Sequence, residues 1–302
     1  MFVKNLKLFV VLFFILFVSL GNAQTKSSFF TKSDTLNKSR LRGVYLSEAA
    51  IASVTLIGLN QLWYANYEKS KFHFINDNSD WLQMDKVGHA FSAYQLGRLS
   101  MSAMDWAGAS KRDQLLYGAP LGFVFLTAVE VMDGFSAEWG ASTGDIIANA
   151  AGTAFLIGQE LGWKEQRISF KYSFHRTDYA TLNPDVLGKN LTEQMLKDYN
   201  GQTYWLSANV WSFAKESKFP KWLNIAFGYG AEGMLSKQPG HELEVSPRYR
   251  QFYASFDIDL TKIKTNSPFL KGLFNTLNFI KIPAPAIEFT SNGKIIGHWI
   301  YY

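Results

Sequence analysis

Between residues 163 and 168 the spacing of the apolar side chains changes from a helix period to a strand period, and this change constrains the fold more than any other feature of the chain. Before it lie four mostly apolar stretches, at 44–64, 85–104, 114–132 and 145–163, separated by turns rich in Gly, Ser and Asp. These read as helices, with Pro120 kinking the third or marking its first turn. After it, Ile168, Phe170, Tyr172 and Phe174 alternate with Ser169, Lys171, Ser173 and His175, the pattern of a half-buried strand. Further strand-like runs follow at 203–213, 223–231, 251–260, 286–290 and 294–302, with short helices near 191–199 and 268–279. The last two runs flank Ser291-Asn292-Gly293, a hairpin turn whose Asn-Gly pair favours positive φ. Strands and helices do not alternate, so the sheet is expected to be antiparallel. The fold class is therefore α+β: an N-terminal four-helix bundle at 44–164, then an antiparallel β-sheet of about six strands at 165–302.

The first 23 residues form a secretory signal. Lys4 and Lys7 supply its charge, residues 8–20 are uninterruptedly apolar, and Gly21 and Ala23 precede a cut before Gln24. Residues 24–43 are a polar, flexible lead-in. The chain is thus expected to be exported, to the periplasm or outer membrane of a Gram-negative bacterium rather than to the inner membrane. The chain has no cysteine, which excludes disulfides, thiolate zinc sites and a cysteine nucleophile. Removing Lys4 and Lys7 leaves a net charge of +3, too mild to indicate nucleic acid. Aromatic residues make up 16% of the chain, enough to fill a large core or to sit against lipid. The expected partner is membrane lipid or another envelope protein, with Trp205, Trp211, Trp222 and Trp299 of the sheet at the headgroup level. A closed outer-membrane barrel needs at least eight strands, more than the six counted here.

Gly228-Tyr229-Gly230-Ala231-Glu232-Gly233 matches a dinucleotide-binding fingerprint in letters only. No helix can start after it, so its glycines read as a strand face packed under aromatics, and no organic cofactor is expected. Gly144, Ala148 and Gly152 place small residues on one helix face, where two backbones can approach.

One constellation carries chemistry. Asp85 and His89 are four apart, Glu130 and Asp133 three apart, and Asp145 and Asn149 four apart. Each pair shares one face of an apolar helix. Buried ionisable groups are costly unless paired or used. If the helices converge, His89 meets Glu130 or Asp145. A cluster of Asp85, His89, Glu130, Asp145 and Asn149 would then serve as an acid/base pair, or His89, Glu130 and Asp145 would hold a divalent metal through one imidazole and two carboxylates. Structural roles account for the same residues: Asp85 as an N-cap, Ser142 to Asp145 as a capping box, and Lys86 as a buried partner of Glu130 or Asp133.

The run Asp85-Lys86-x-x-His89, then Glu130-x-x-Asp133-Gly134-x-Ser136, then Gly140-Ala141-Ser142-x-Gly144-Asp145-x-x-Ala148-Asn149-x-x-Gly152 resembles the YfiM-like family, a bacterial domain of unknown function described as a predicted periplasmic lipoprotein. The likeness covers residues 44–163 and extends to a segment at 197–207. The helical motifs resemble VanZ-like membrane proteins more loosely. The resemblance implies an exported envelope protein, and the aromatic content, the small-residue helix face and the lack of a catalytic signature read as membrane association with a structural or binding role. The polar cluster supplies the alternative, an envelope hydrolase or lipid-modifying enzyme. A lipid anchor does not follow, because the chain lacks the cysteine that would carry it.

Overall fold

The computed structural model describes residues 29–64, 67–244 and 247–302. The signal expected at residues 1–23 lies outside the described residues. All four apolar stretches are helical. α1 (Lys38–Leu59) begins at Asn37, whose side chain accepts a hydrogen bond from the Arg40 N–H. It is followed by α2 (Met84–Trp106), α3 (Leu121–Gly134) and α4 (Thr143–Trp163). Pro120 stands at the N-cap of α3, after a π turn at Gln114–Gly118, so it marks the first turn of that helix.

Helices α2, α3 and α4 form the packed unit, and glycine is what lets them close. A Cβ on Gly152 would lie 2.0 Å from the Ala90 carbonyl oxygen, and one on Gly122 would lie 2.2 Å from that of Ala93. Backbones this close leave no room for a side chain at the crossing. α1 does not join as a fourth equal member. It buries Val44 against Met104 and Ala109, and turns Leu46, Ile51, Val54 and Ile57 outward. Its apolar residues go all round the helix rather than along one stripe, so no single face is favoured for packing.

The C-terminal half is a six-stranded antiparallel sheet in the order β3 (Ile168–Phe174), β4 (Gln202–Asn209), β5 (Leu223–Glu232), β6 (Tyr249–Ile258), β7 (Ala284–Thr290) and β8 (Ile295–Tyr301). A separate two-stranded parallel ladder joins β1 (Phe74–Ile75) to β2 (Ala141–Ser142). The strand expected at 203–213 ends early, because Asn209 caps a helical turn at Val210–Phe213. The β7–β8 hairpin turns through Gly293 at φ +87°, as its Asn-Gly pair requires.

The sheet curls on itself. Lys171 on β3 and Asp257 on β6 make a 2.7 Å ion pair. Three strand spacings in a flat sheet would separate them by roughly 14 Å. The free edge of β3 is taken by the chain just before β7: the Tyr172 N–H donates to the Phe279 carbonyl, and the Lys281 N–H to that of Tyr172. The enclosed face is polar and tightly bonded. Ser207 and the Ile282 N–H both donate to the Asp257 carboxylate, Asn224 donates to Ser207, and the Trp205 indole donates to Ser173. Trp205 is fully buried here, not at a headgroup level. A Cβ on Gly228 would strike its ring at 2.8 Å, so that glycine serves the packing of Trp205 and not a nucleotide.

Lys281 sits inside this ring, over the Trp205 indole at 4.9 Å, with its Nζ donating to the Ile282 carbonyl. Burial lowers its pKa from 10.5 to about 8. Between those values the unfolded chain holds more protons than the folded one, so this residue makes stability rise as pH climbs from about 8 to about 10.5. At neutral pH the buried charge is a cost. Lys281→Met is expected to stabilise the fold by about 1–3 kcal/mol at pH 7 and to flatten its alkaline rise. Thermal unfolding from pH 7 to pH 10 checks this, and an unchanged slope contradicts it.

Candidate functional site

The chain enters α2 through a left-handed turn. Trp81, Leu82 and Gln83 have φ of 50°, 51° and 65°. Such backbone costs about 1–2 kcal/mol for each non-glycine residue. Contacts from the sheet side hold it there. The Trp81 N–H donates to the Lys237 carbonyl, the Tyr229 hydroxyl to the Leu82 carbonyl, and the Arg250 guanidinium to the Gln83 side chain. Strands β5 and β6 thereby fix where α2 begins, and so where Asp85, Lys86 and His89 stand.

The three helices deliver the five residues expected from the sequence to one place. His89 Nδ1 lies 3.1 Å from Asn149 Oδ1. Its Nε2 lies 3.8 Å from Asp85 Oδ1, 3.8 Å from Glu130 Oε1 and 4.0 Å from Asp145 Oδ1. An amide oxygen only accepts, so Nδ1 donates, and Nε2 is the nitrogen turned to the carboxylates.

Capping explains less than the sequence allows. Ser142 does cap α4, accepting from the Asp145 N–H at 3.1 Å. In a capping box the acid at the third position bonds the N–H of the cap residue. Here Glu130 takes that Ser142 N–H, at 2.8 Å, from another helix. The Asp145 carboxylate is thereby free to face Lys86 and His89. Asp85 is not an N-cap either. It is the second residue of α2, and its carboxylate accepts from the Tyr199 hydroxyl at 2.7 Å.

Lys86 pairs with neither Glu130 nor Asp133. Its ammonium lies 2.7 Å from Asp77, 3.2 Å from Asp85 and 2.9 Å from Asp145. Asp133 instead accepts from the Tyr64 hydroxyl at 2.6 Å. Asp77 and Tyr199 are site residues that spacing arguments miss. Asp77 lies in a loop after β1 and Tyr199 in the short turn Tyr199–Gly201 before β4, so neither shares a helix face with the others.

Negative charge exceeds positive charge in this cluster. Burial pushes the Glu130 carboxyl up to about 7. Burial, then the charge of Asp85, pushes Asp145 up to about 6. Burial also acts to raise Asp85, but His89, Lys86 and the Tyr199 hydroxyl outweigh it and hold Asp85 below the ordinary carboxylate range. Burial acts to lower His89, and the charges of Asp85, Asp145 and Glu130 outweigh it and raise His89.

The donor set fits a divalent cation. One imidazole nitrogen and carboxylate oxygens of Asp85 and Asp145 lie within 4.8 Å of one another. A point central to three such atoms is at most about 2.8 Å from each, so a small inward movement of the side chains would bring them to the roughly 2.0–2.2 Å of metal–ligand bonds. The Nε2–carboxylate distances are too long for direct hydrogen bonds and short enough for a shared ion. Asn149 Nδ2 is buried without a hydrogen bond, and Asp145 Oδ1 is buried against the Lys86 ammonium at 2.9 Å. The converging triad is thus Asp85, His89 and Asp145. Glu130 also faces Nε2, at 3.8 Å, but its other oxygen is committed to the Ser142 N–H. This differs from the sequence expectation, which had Glu130 in place of Asp85.

Residues 73–158 match a protein family described as predicted periplasmic lipoproteins (DUF2279). The match contains Asp77, Asp85, Lys86, His89, Glu130, Asp133, Asp145 and Asn149, and stops before Tyr199 and the sheet. It lies inside the helical region that carries the resemblance and does not reach the segment at 197–207. Its description agrees with an exported, periplasmic protein of a Gram-negative envelope. No curated protein and no solved structure matches the chain.

Proposed function

We propose that this is a membrane-associated envelope protein whose helical core carries a divalent-cation centre, with Asp85, His89 and Asp145 as ligands and Glu130 beside them. The observation that carries the reading is the convergence of Nε2 and two carboxylates around one point. Asn149 orients the ring from its other nitrogen, as partners of metal-bound histidines do. An oxygen-rich set with one imidazole suits Zn2+ or Mn2+ better than a thiolate-seeking ion. Membrane association rests on two helical stretches, Lys38–Leu59 and Lys111–Gly134, that are long and apolar enough to cross a membrane by length and composition. With no cysteine in the sequence, such surfaces would stand in for a lipid on this chain.

Metal analysis of the full chain purified without chelator tests the centre. One Zn2+ or Mn2+ per chain is expected, with affinity reduced at least tenfold in His89→Ala and in Asp145→Asn while circular dichroism stays native. Failure to bind either ion, or equal binding in both variants, rejects it.

A second reading, an envelope hydrolase or lipid-modifying enzyme, is favoured by the same orientation of His89. Its Nδ1 is fixed by Asn149, which leaves Nε2, beside Glu130, as the nitrogen able to take up or give a proton. Ester or phosphoester hydrolysis lost in both His89→Ala and Glu130→Gln, with metal content unchanged in Glu130→Gln, would select it over a purely structural ion.

A further inference from the structure

The sheet is inverted. In water, an antiparallel sheet with one face covered turns its apolar side inward and its polar side out. Here the enclosed face carries Lys171, Ser207, Asn224, Asp257 and Glu288, all buried. The outer face is apolar. Cross-strand registers align Leu206, Phe227 and Ile287 in one row and Tyr229, Phe252 and Phe289 in the next. Helix α2 covers this face over β3 and β4, where Phe91 packs on Phe170, Tyr172 and Tyr204. Beyond β4, away from the Trp81–Gln83 turn that Tyr229 and Arg250 hold, the face is bare: Phe227 is 61% exposed and Phe256 55%. A hollow of about 660 Å³ lies on it, lined by Ile225, Phe256, Ile287 and Trp299. Polar inside and apolar outside is the arrangement that lipid, not water, favours.

Charge and aromatic residues mark one end of this face. The connections at 164–167, 214–222 and 259–265 hold seven cations and three acids. The opposite connections, at 175–201, 233–248 and 291–294, hold six of each. The cationic end also carries exposed Phe213, Phe219 and Trp222. Lys221 lies over Trp211, and Arg167 over Trp163. Aromatics interleaved with lysines are the composition of a membrane–water interface, and the excess cations complement anionic headgroups.

We infer that the bare outer face of β5–β7 lies against a bilayer containing anionic phospholipid, with the 214–222 connection at the headgroups. Among the described residues strand β8 keeps one unpaired edge, whose backbone groups need water, so the sheet lies on the bilayer surface and does not cross it. This surface is independent of the cation centre: the two share no residue.

The absence of native cysteine makes the test direct. Single-cysteine variants Phe227→Cys and Phe256→Cys of the full chain would carry an environment-sensitive fluorophore, with Lys189→Cys as the exposed control. Mixed with phosphatidylglycerol/phosphatidylcholine vesicles, the first two are expected to shift to the blue and to be quenched by lipid-borne nitroxide, and the control to do neither. Replacing Lys215, Lys218 and Lys221 together by Gln should weaken partitioning by about 100-fold, at about fivefold per lysine. All these positions are on the surface, and Ile287→Cys replaces either probe if a variant fails to give native circular dichroism. Probes that stay water-exposed on vesicle-bound protein overturn the inference. So does a blue shift that appears without lipid as protein concentration rises, which would assign the face to a second copy of the chain. Equal partitioning of the triple variant overturns the headgroup assignment.

Discussion

Asp257→Ala is expected to destabilise the protein by about 3–5 kcal/mol, the cost of leaving one partner of a buried ion pair uncompensated. Both Lys171 and Asp257 have fully buried side chains. The Lys171 ammonium would keep only the Ile258 carbonyl, to which it donates at 2.7 Å. Ser207 and the Ile282 N–H would lose their acceptor as well. For a chain of this size the loss corresponds to a fall of roughly 6–20 °C in the unfolding midpoint. The double variant Lys171→Met with Asp257→Leu removes both charges and should lose much less, because a buried pair replaced by apolar groups of similar volume is often close to neutral. Thermal unfolding of the three proteins decides it. If the double variant is as damaged as the single one, the interior network, and not the unpaired charge, sets the cost.

Much of this architecture is legible in the residues, and the part that is not has a physical cause. Alternation over Ile168–Phe174 reports a strand, and Asn292-Gly293 reports its kind of turn, because both are local backbone preferences. Alternation separates two faces but does not say which one is enclosed. Phe170 and Lys171 are both buried, one under α2 and one inside the curl, so the half-buried reading fails where the sheet closes. The meeting of His89 with Glu130 and Asp145 is readable because each residue shares a helix face with another polar group. Asp77 and Tyr199 are single residues in loops, placed by tertiary packing alone. The left-handed turn at Trp81, Leu82 and Gln83 has no glycine to announce it, and tertiary contacts, among them the bonds from Tyr229, Arg250 and Lys237, hold it. The exposed Val54 of α1 and the buried Leu156 of α4 look alike in hydropathy, so the four apolar stretches do not declare which three pack together.

Lys86→Met separates a cation centre from a purely internal salt-bridge cluster. In the present arrangement the ammonium holds Asp77, Asp85 and Asp145 together. Its removal leaves these carboxylates without their shared counter-charge, while burial already pushes Asp145 up to about 6. The expected loss is about 2–4 kcal/mol in the presence of chelator, below the cost for a fully enclosed pair because Asp85 and Asp77 retain some solvent contact. The same change removes the positive charge that competes with a metal ion for Asp85 and Asp145. A divalent ion should therefore bind the variant more tightly than the parent. At a free concentration near 100 times its Kd, it should return about 2.7 kcal/mol. The readout is the midpoint of thermal unfolding for the parent and Lys86→Met, each with chelator and with Zn2+ or Mn2+. A metal-induced rise larger in the variant than in the parent is the expected result. An equal loss with and without metal would mean that the carboxylates are neutralised by Lys86 alone, and that His89 Nε2 faces them as one more structural charge.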